Sequence, residues 1–189
     1  MILPVVAYGD PVLKKVSEDI TKDYPKLESL IDNMWETMYN AHGVGIAAPQ
    51  IGRSIRLFVI DASPFAEDDE TVEGFKKVFI NAKILSEEGE EWVFNEGCLS
   101  IPEVREDVSR QSKITIEYLD ENFEKHTETY EGLAARVIQH EYDHIDGVLF
   151  TDHLSPLRKK LVNGKLRKIQ DGKIQPDYRM RYFSKRNRR

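Results

Sequence analysis

The sequence predicts an α+β fold, with antiparallel β-sheets around a central helix that bears a His-Glu-x-x-His pentad, followed by a C-terminal helix and a basic tail. Three observations predict it. Stretches rich in β-forming residues fall in one block between positions 54 and 119, a strongly amphipathic helix precedes that block, and a second one follows it. A balance of 40% hydrophobic to 32% charged residues over 189 positions is that of a chain able to bury a core, and it excludes collagen, extended disorder and a disulfide scaffold.

Taken in order, Leu27, Leu30, Ile31, Met34 and Met38 recur at three- and four-residue steps and predict a helix over 26–42 with one buried face. Two glycines and Pro49 interrupt the pattern in His42-Gly43-Val44-Gly45-Ile46-Ala47-Ala48-Pro49-Gln50, which predicts an irregular binding loop. Residues 54–61, 77–85, 91–94 and 113–119 read as antiparallel strands, the last with Ile114, Ile116 and Tyr118 on one face. The acidic stretch 62–74 has few large apolar residues and reads as a surface loop. Leu133, Val137, His140 and His144 share one face of a second helix predicted over 131–146. A third begins near Pro156, with Ser155 as its cap. There is no internal repeat, and the chain divides into a domain over 1–170 and a tail over 171–189.

Net charge is −6, unevenly spread. Residues 155–189 carry thirteen Lys and Arg against Asp171 and Asp177, a net +11 that leaves −17 for the rest. An acidic body repels nucleic acid, so specific DNA binding is not expected; the tail is either a solvated end or a dock for a polyanion. No apolar run approaches the roughly 20 residues needed to cross a bilayer, and residues 1–10 lack a signal-like pattern, so no membrane association is expected and the expected location is cytoplasmic.

His140-Glu141-Tyr142-Asp143-His144 carries the sharpest chemical signal. Two imidazoles four residues apart on a helix point the same way and can bind one metal ion, with the glutamate beside it. The bland alternative is a surface helix with two solvated histidines. Hydrolytic centres of this kind take three protein ligands and keep one position open. Downstream, Gly147 matches an extended His-x-x-Gly-x-x-His pattern, but Phe150 stands where its last histidine belongs, and no Glu follows Glu141. That leaves His153, out of step with the pattern, or the single cysteine, Cys98, in Asn95-Glu96-Gly97-Cys98-Leu99-Ser100. A lone cysteine is ordinarily a small buried hydrophobe, yet a thiolate with two imidazoles suits Zn²⁺ or Fe²⁺.

Gly43-Val44-Gly45-Ile46-Ala47-Ala48-Pro49-Gln50, Glu96-Gly97-Cys98-Leu99-Ser100 and Gln139-His140-Glu141-Tyr142-Asp143-His144 together resemble the three motifs of the peptide deformylases, in the family's order. The resemblance extends from Gly9-Asp10-Pro11-Val12-Leu13 to about residue 155. It implies a hydrolase that removes the N-formyl group from the formyl-methionine of new polypeptides and releases formate. By the same resemblance Cys98, His140 and His144 hold one divalent metal ion, generally Fe²⁺ in the cell, with Zn²⁺, Ni²⁺ or Co²⁺ able to substitute. Metal-activated water then attacks the formyl carbon with Glu141 as general base, and Gln50 and the Leu99 amide stabilise the oxyanion.

Substrate binding is assigned in the same way to Val44 and Ile46 through their main chains, to Gly45 for close approach, to Gly97, and to Leu133 and Val137 in the methionine pocket. Arg136 lies one residue before Val137; if it borders that pocket, its stem is expected to pack there while its charge reaches water. Glu96 and Arg110 are expected to pair, and Asp143 to support a ligand histidine. The implied partners are N-formyl-Met peptides and nascent chains, with the basic tail docking on the ribosome; removing residues after about 170 should then spare activity on short peptides. The rival readings are a zinc endopeptidase and a non-catalytic module with a structural metal.

Overall fold

The computed structural model describes residues 1–183. In chain order these form β1 (Val5–Val6), α1 (Leu27–Asn40), β2 (Gly45–Ala47), β3 (Leu57–Asp61), β4 (Lys76–Cys98), β5 (Ile101–Leu119), β6 (Lys125–Glu131), α2 (Gly132–Ile145), α3 (Pro156–Gln170) and β7 (Met180–Arg181). Strands β2 to β6 make one antiparallel sheet in sequential order, with β2 at an edge. A second, two-stranded sheet pairs β1 parallel to β7.

β3 shows how sequence becomes layering. Its run Leu57-Phe58-Val59-Ile60 is apolar at every position because both faces are covered. Leu57 and Val59 pack with Ile31, Met34 and Met38 of α1, while Phe58 and Ile60 pack with Leu133, Val137 and Ile138 of α2. The sheet thus lies between two helices, and α2, which bears the pentad, has a buried face fixed by it. A third cluster joins α3 to the first half of β5, through Val162, Leu166 and Ile169 against Ile101, Val104 and Val108. Ser155 caps α3 as its sequence predicts, accepting from Arg158 N at 3.3 Å.

Several segments differ from expectation. The loop 42–50 contains a three-residue strand, β2, and a 3₁₀ turn, Ala48–Ile51; the strand is too short for alternation to be legible. The stretches 77–85 and 91–94 are parts of one strand, β4, continued through Glu87, Glu88 and Gly89 by a bulged ladder. β5 begins at Ile101 rather than 113, and its buried positions alternate correctly but include Glu106 and Arg110, which hide the period from a hydropathy reading. β6 has no fully buried residue and left no apolar signal. The acidic stretch 62–74 is anchored by Val72, which is wholly buried, and by Phe65 packed on the core.

The tail also departs from expectation. After α3 the chain returns to the body: Ile174 enters the core, Arg179 O accepts from Val5 N, and Arg181 O accepts from Ala7 N, both at 2.9 Å. The basic run Arg186–Arg189 lies outside the described residues. Among the described residues no helix is long and apolar enough to cross a membrane.

Candidate active site

The end of β4 delivers Cys98, and α2 delivers His140, Glu141 and His144. Ligand atoms of Cys98, His140 and His144 lie within 4.8 Å of one another, and Cys98 Sγ is 3.4 Å from His144 Nε2. The Nδ1 of His140 is 2.9 Å from Glu96 Oε2, which leaves Nε2 as the nitrogen available to a cation. Burial first, and then the neighbouring His140, push His144 down to about 3, so its ring is neutral and offers a lone pair. Burial opposes charge on His140, but contacts with Cys98 and Glu96 outweigh it and raise its pKa. One sulfur and two nitrogens converging in this way fit a single divalent transition metal. His153, the other candidate, sits instead 2.8 Å from Asp143 and outside this cluster.

Glu141 is buried beside the cluster, and its Oε2 has no hydrogen-bond partner among the described residues. Burial above all raises its carboxyl to about 7, with His140 pulling down and Glu96 and Asp143 pushing up. Gly45 makes room for it, since a Cβ there would lie 2.5 Å from Glu141 Oε1. Gln50 is held by its own turn: Ala47 N donates to Oε1 at 2.9 Å, so the amide Nε2 must face Cys98 Sγ and Ser100 Oγ, each at 3.4 Å.

Behind the cluster of Cys98, His140 and His144 lies a buried ionic network. Glu96 accepts from Arg110 at 2.7 and 3.0 Å, as expected, and also from Arg136 at 3.0 Å. Arg136 therefore does not send its charge to water: it is 1% exposed, donates to Trp92 O and Val108 O, and lies 4.5 Å over the Trp92 ring. Asp143 accepts from Arg110 and contacts His153, not a histidine of the cluster; Glu96 is the carboxylate that orients His140.

A cleft of about 540 Å³ opens on this centre. Val44, Gly45, Gln50, Gly97, Leu99 and Val137 line it with Cys98, His140 and Glu141. Ile46 and Leu133 do not: Ile46 is turned into the core against α1, and Leu133 is packed between α2 and the sheet. The Val44 carbonyl already accepts from Asp61 N at 2.8 Å, so by the two-residue alternation of a strand the edge groups left free are those of Gly45. Residues not expected in the wall include Phe65, Phe94, Pro176 and Tyr178. Phe65 and Phe94 meet edge to face at 6.2 Å, a pairing of a loop with a strand that no local pattern encodes.

Metal-dependent hydrolases are the class that such a donor set beside a buried carboxyl fits. The polypeptide deformylase model matches residues 2–160. Peptide deformylases of Christiangramia forsetii and Flavobacterium psychrophilum are 67% and 63% identical to it, over 96% and 98% of this chain and 96% and 100% of their own lengths. A crystal structure of a peptide deformylase from Legionella pneumophila matches with a TM-score of 0.79 at 39% identity, covering 93% of this chain and all of that one. That of Plasmodium falciparum in complex with inhibitor matches at 0.76 and 33%, over 87% and 97% of the two chains. The chain belongs to the polypeptide deformylase family. Members of this family are metalloenzymes, hydrolases of protein biosynthesis that remove N-formyl groups from nascent polypeptides.

Proposed function

We propose that this enzyme removes the formyl group from N-formyl-Met chains with Glu141 as general base, and that Cys98, His140 and His144 are its metal ligands. The observation that carries the reading is the convergence of those three donors within 4.8 Å beside a buried Glu141 whose Oε2 has no hydrogen-bond partner among the described residues. When bound there, a divalent cation supplies Lewis acidity and lowers the pKa of water toward neutrality. The donor set admits Fe²⁺, Zn²⁺, Ni²⁺ or Co²⁺, and we take Fe²⁺ as the ion in the cell. Glu141 accepts the proton of the attacking water and returns one to the departing amine, a double duty that a carboxyl held near neutrality suits.

Gln50 Nε2 and the Leu99 amide donate to the formyl oxygen as it gains charge. The substrate lies extended along the open edge of β2, bonded through Gly45, with its methionine side chain among Val44, Val137 and Phe94. We place the enzyme in the cytoplasm, where formylated chains are made. The exposed basic residues of α3 and the end of the chain are then the surface offered to the ribosome, whose RNA supplies phosphates.

Mass spectrometry of a formyl-Met tripeptide and an unblocked longer peptide, incubated with anaerobically prepared iron-loaded enzyme, tests this. Loss of the formyl group alone is expected. Internal cleavage would make the endopeptidase the better reading, and no reaction from fully metallated protein would leave a binding role. In the same assay Gln50→Ala is expected to lower kcat by about 10²–10³-fold, the cost of one oxyanion donor. A kcat within a few fold of the wild type would remove Gln50 from the mechanism.

A further inference from the structure

The two-residue turn Leu99-Ser100, which joins β4 to β5 directly after Cys98, is held from outside the hairpin on both of its carbonyls. Tyr178 Oη donates to Leu99 O at 2.8 Å, and Tyr8 N donates to Ser100 O at 2.9 Å. The two tyrosines come from opposite ends of the chain, next to β7 and β1, which pair with each other. Tyr178 and Pro176 also form part of the cleft wall.

The segment that brings Tyr178 there is itself anchored. Tyr182 Oη donates to Ile174 O at 2.6 Å, and the Arg181 guanidinium reaches Asp10 at 3.6 Å. It also lies over Gly52, where a Cβ would meet it at 2.6 Å. Tyr178 ties the plane of the Leu99–Ser100 peptide, which meets at the Leu99 Cα the Cys98–Leu99 plane that carries the Leu99 amide, so holding the one restricts the turning of the other. Within the hairpin itself, the ladder pairs Cys98 with Ile101 and skips the two residues between.

We propose that Tyr178 is a positioning residue of the deformylase site: its hydroxyl holds the Leu99 peptide, so the C-terminal strap is a working part of the catalytic centre and not an appendage. The proposal rests on the reading of the Leu99 amide as an oxyanion donor. It reverses the expectation that residues after 170 are dispensable for activity on short peptides.

Tyr178→Phe keeps the ring and deletes only the hydroxyl. Its kcat on a formyl-Met tripeptide is expected to fall about five- to tenfold, the equivalent of one hydrogen bond, with KM changed less than twofold. Amide hydrogen exchange at Leu99 and Ser100 should accelerate, while Gln175→Ala, an exposed control in the same segment, behaves as wild type. A chain ending at Gln170 should lose more activity than Tyr178→Phe. Wild-type kcat and wild-type exchange in Tyr178→Phe would overturn the proposal. So would a loss of activity matched by an equal loss of folded protein in a melting curve, since that would make the contact merely structural. Absence of deformylation by the wild type would overturn the reading beneath it, a different result from a variant that behaves as its parent.

Discussion

Glu141→Ala is expected to lower kcat by about 10²–10⁴-fold, the usual worth of a positioned general base, while the protein keeps its metal. The two effects separate because Glu141 is not one of the three converging donors. Measuring kcat and metal content on the same preparation checks this, and metal lost in step with activity would show that Glu141 acts as a ligand. Glu141→Gln adds a stability test. The folded-state pKa of Glu141, about 7, lies above the ordinary carboxylate value of ~4.3, so the native state holds a proton that the unfolded chain gives up. Its contribution to stability therefore falls as pH rises from ~4 to about 7. In metal-free protein Glu141→Gln should remove this decline and be more stable than the wild type at pH ~8, with the two converging in acid. Identical pH dependence in urea unfolding would contradict the burial of an unpaired carboxyl.

Glu96→Ala should have the largest effect on stability. The carboxylate pairs with two buried guanidiniums, Arg136 and Arg110, the second of which it shares with Asp143, and it is the partner of His140 Nδ1. Removing one member of a buried pair costs about 3–5 kcal/mol because the other is left unpaired, and here Arg136 loses its carboxylate while Arg110 keeps only Asp143. Against a native stability of about 5–15 kcal/mol this approaches unfolding, and metal affinity should fall about 10–100-fold as His140 loses its orienting bond. Burial by itself would raise the Glu96 pKa, but bonds from His140 and Arg110 outweigh it and hold it well below the usual range. Its stabilisation is accordingly complete above pH ~4.3 and drains away as pH falls toward the folded-state value. Glu96→Gln should flatten that acid limb. An unfolding midpoint unchanged in Glu96→Ala would mean the network is strain and not support.

How much of this was legible in the sequence follows from what each residue interacts with. The His140–His144 pair was readable because helix geometry alone makes residues four apart neighbours. Gln50 and Cys98 became meaningful only through motifs, since nothing local says that a turn after β2 and the end of β4 meet the same helix. The burial of Arg136 is not legible locally, because charge stays out of water only where partners such as Glu96 and Trp92 wait inside, and those partners lie some forty residues away. The strand β5 hid behind Glu106 and Arg110, charges placed at positions where period two demands apolar residues. Tyr178 gave no signal at all. An aromatic residue among arginines looks like a solvated tail until the β1–β7 pairing is known.

That pairing also sets the order in which the molecule can mature. Val5 opposite Met180 is a contact between residues separated by nearly the whole chain, so its loop-closure entropy is overcome only after the intervening hairpin and helices have shortened the path. On the ribosome, β1 emerges first and must wait for β7, the last strand among the described residues. The hairpin and α2 can assemble the cluster of donors early, but the bond from Tyr178 to Leu99 must wait until the chain has grown 79 residues beyond Leu99. An enzyme that serves newborn chains thus makes this contact late in its own growth.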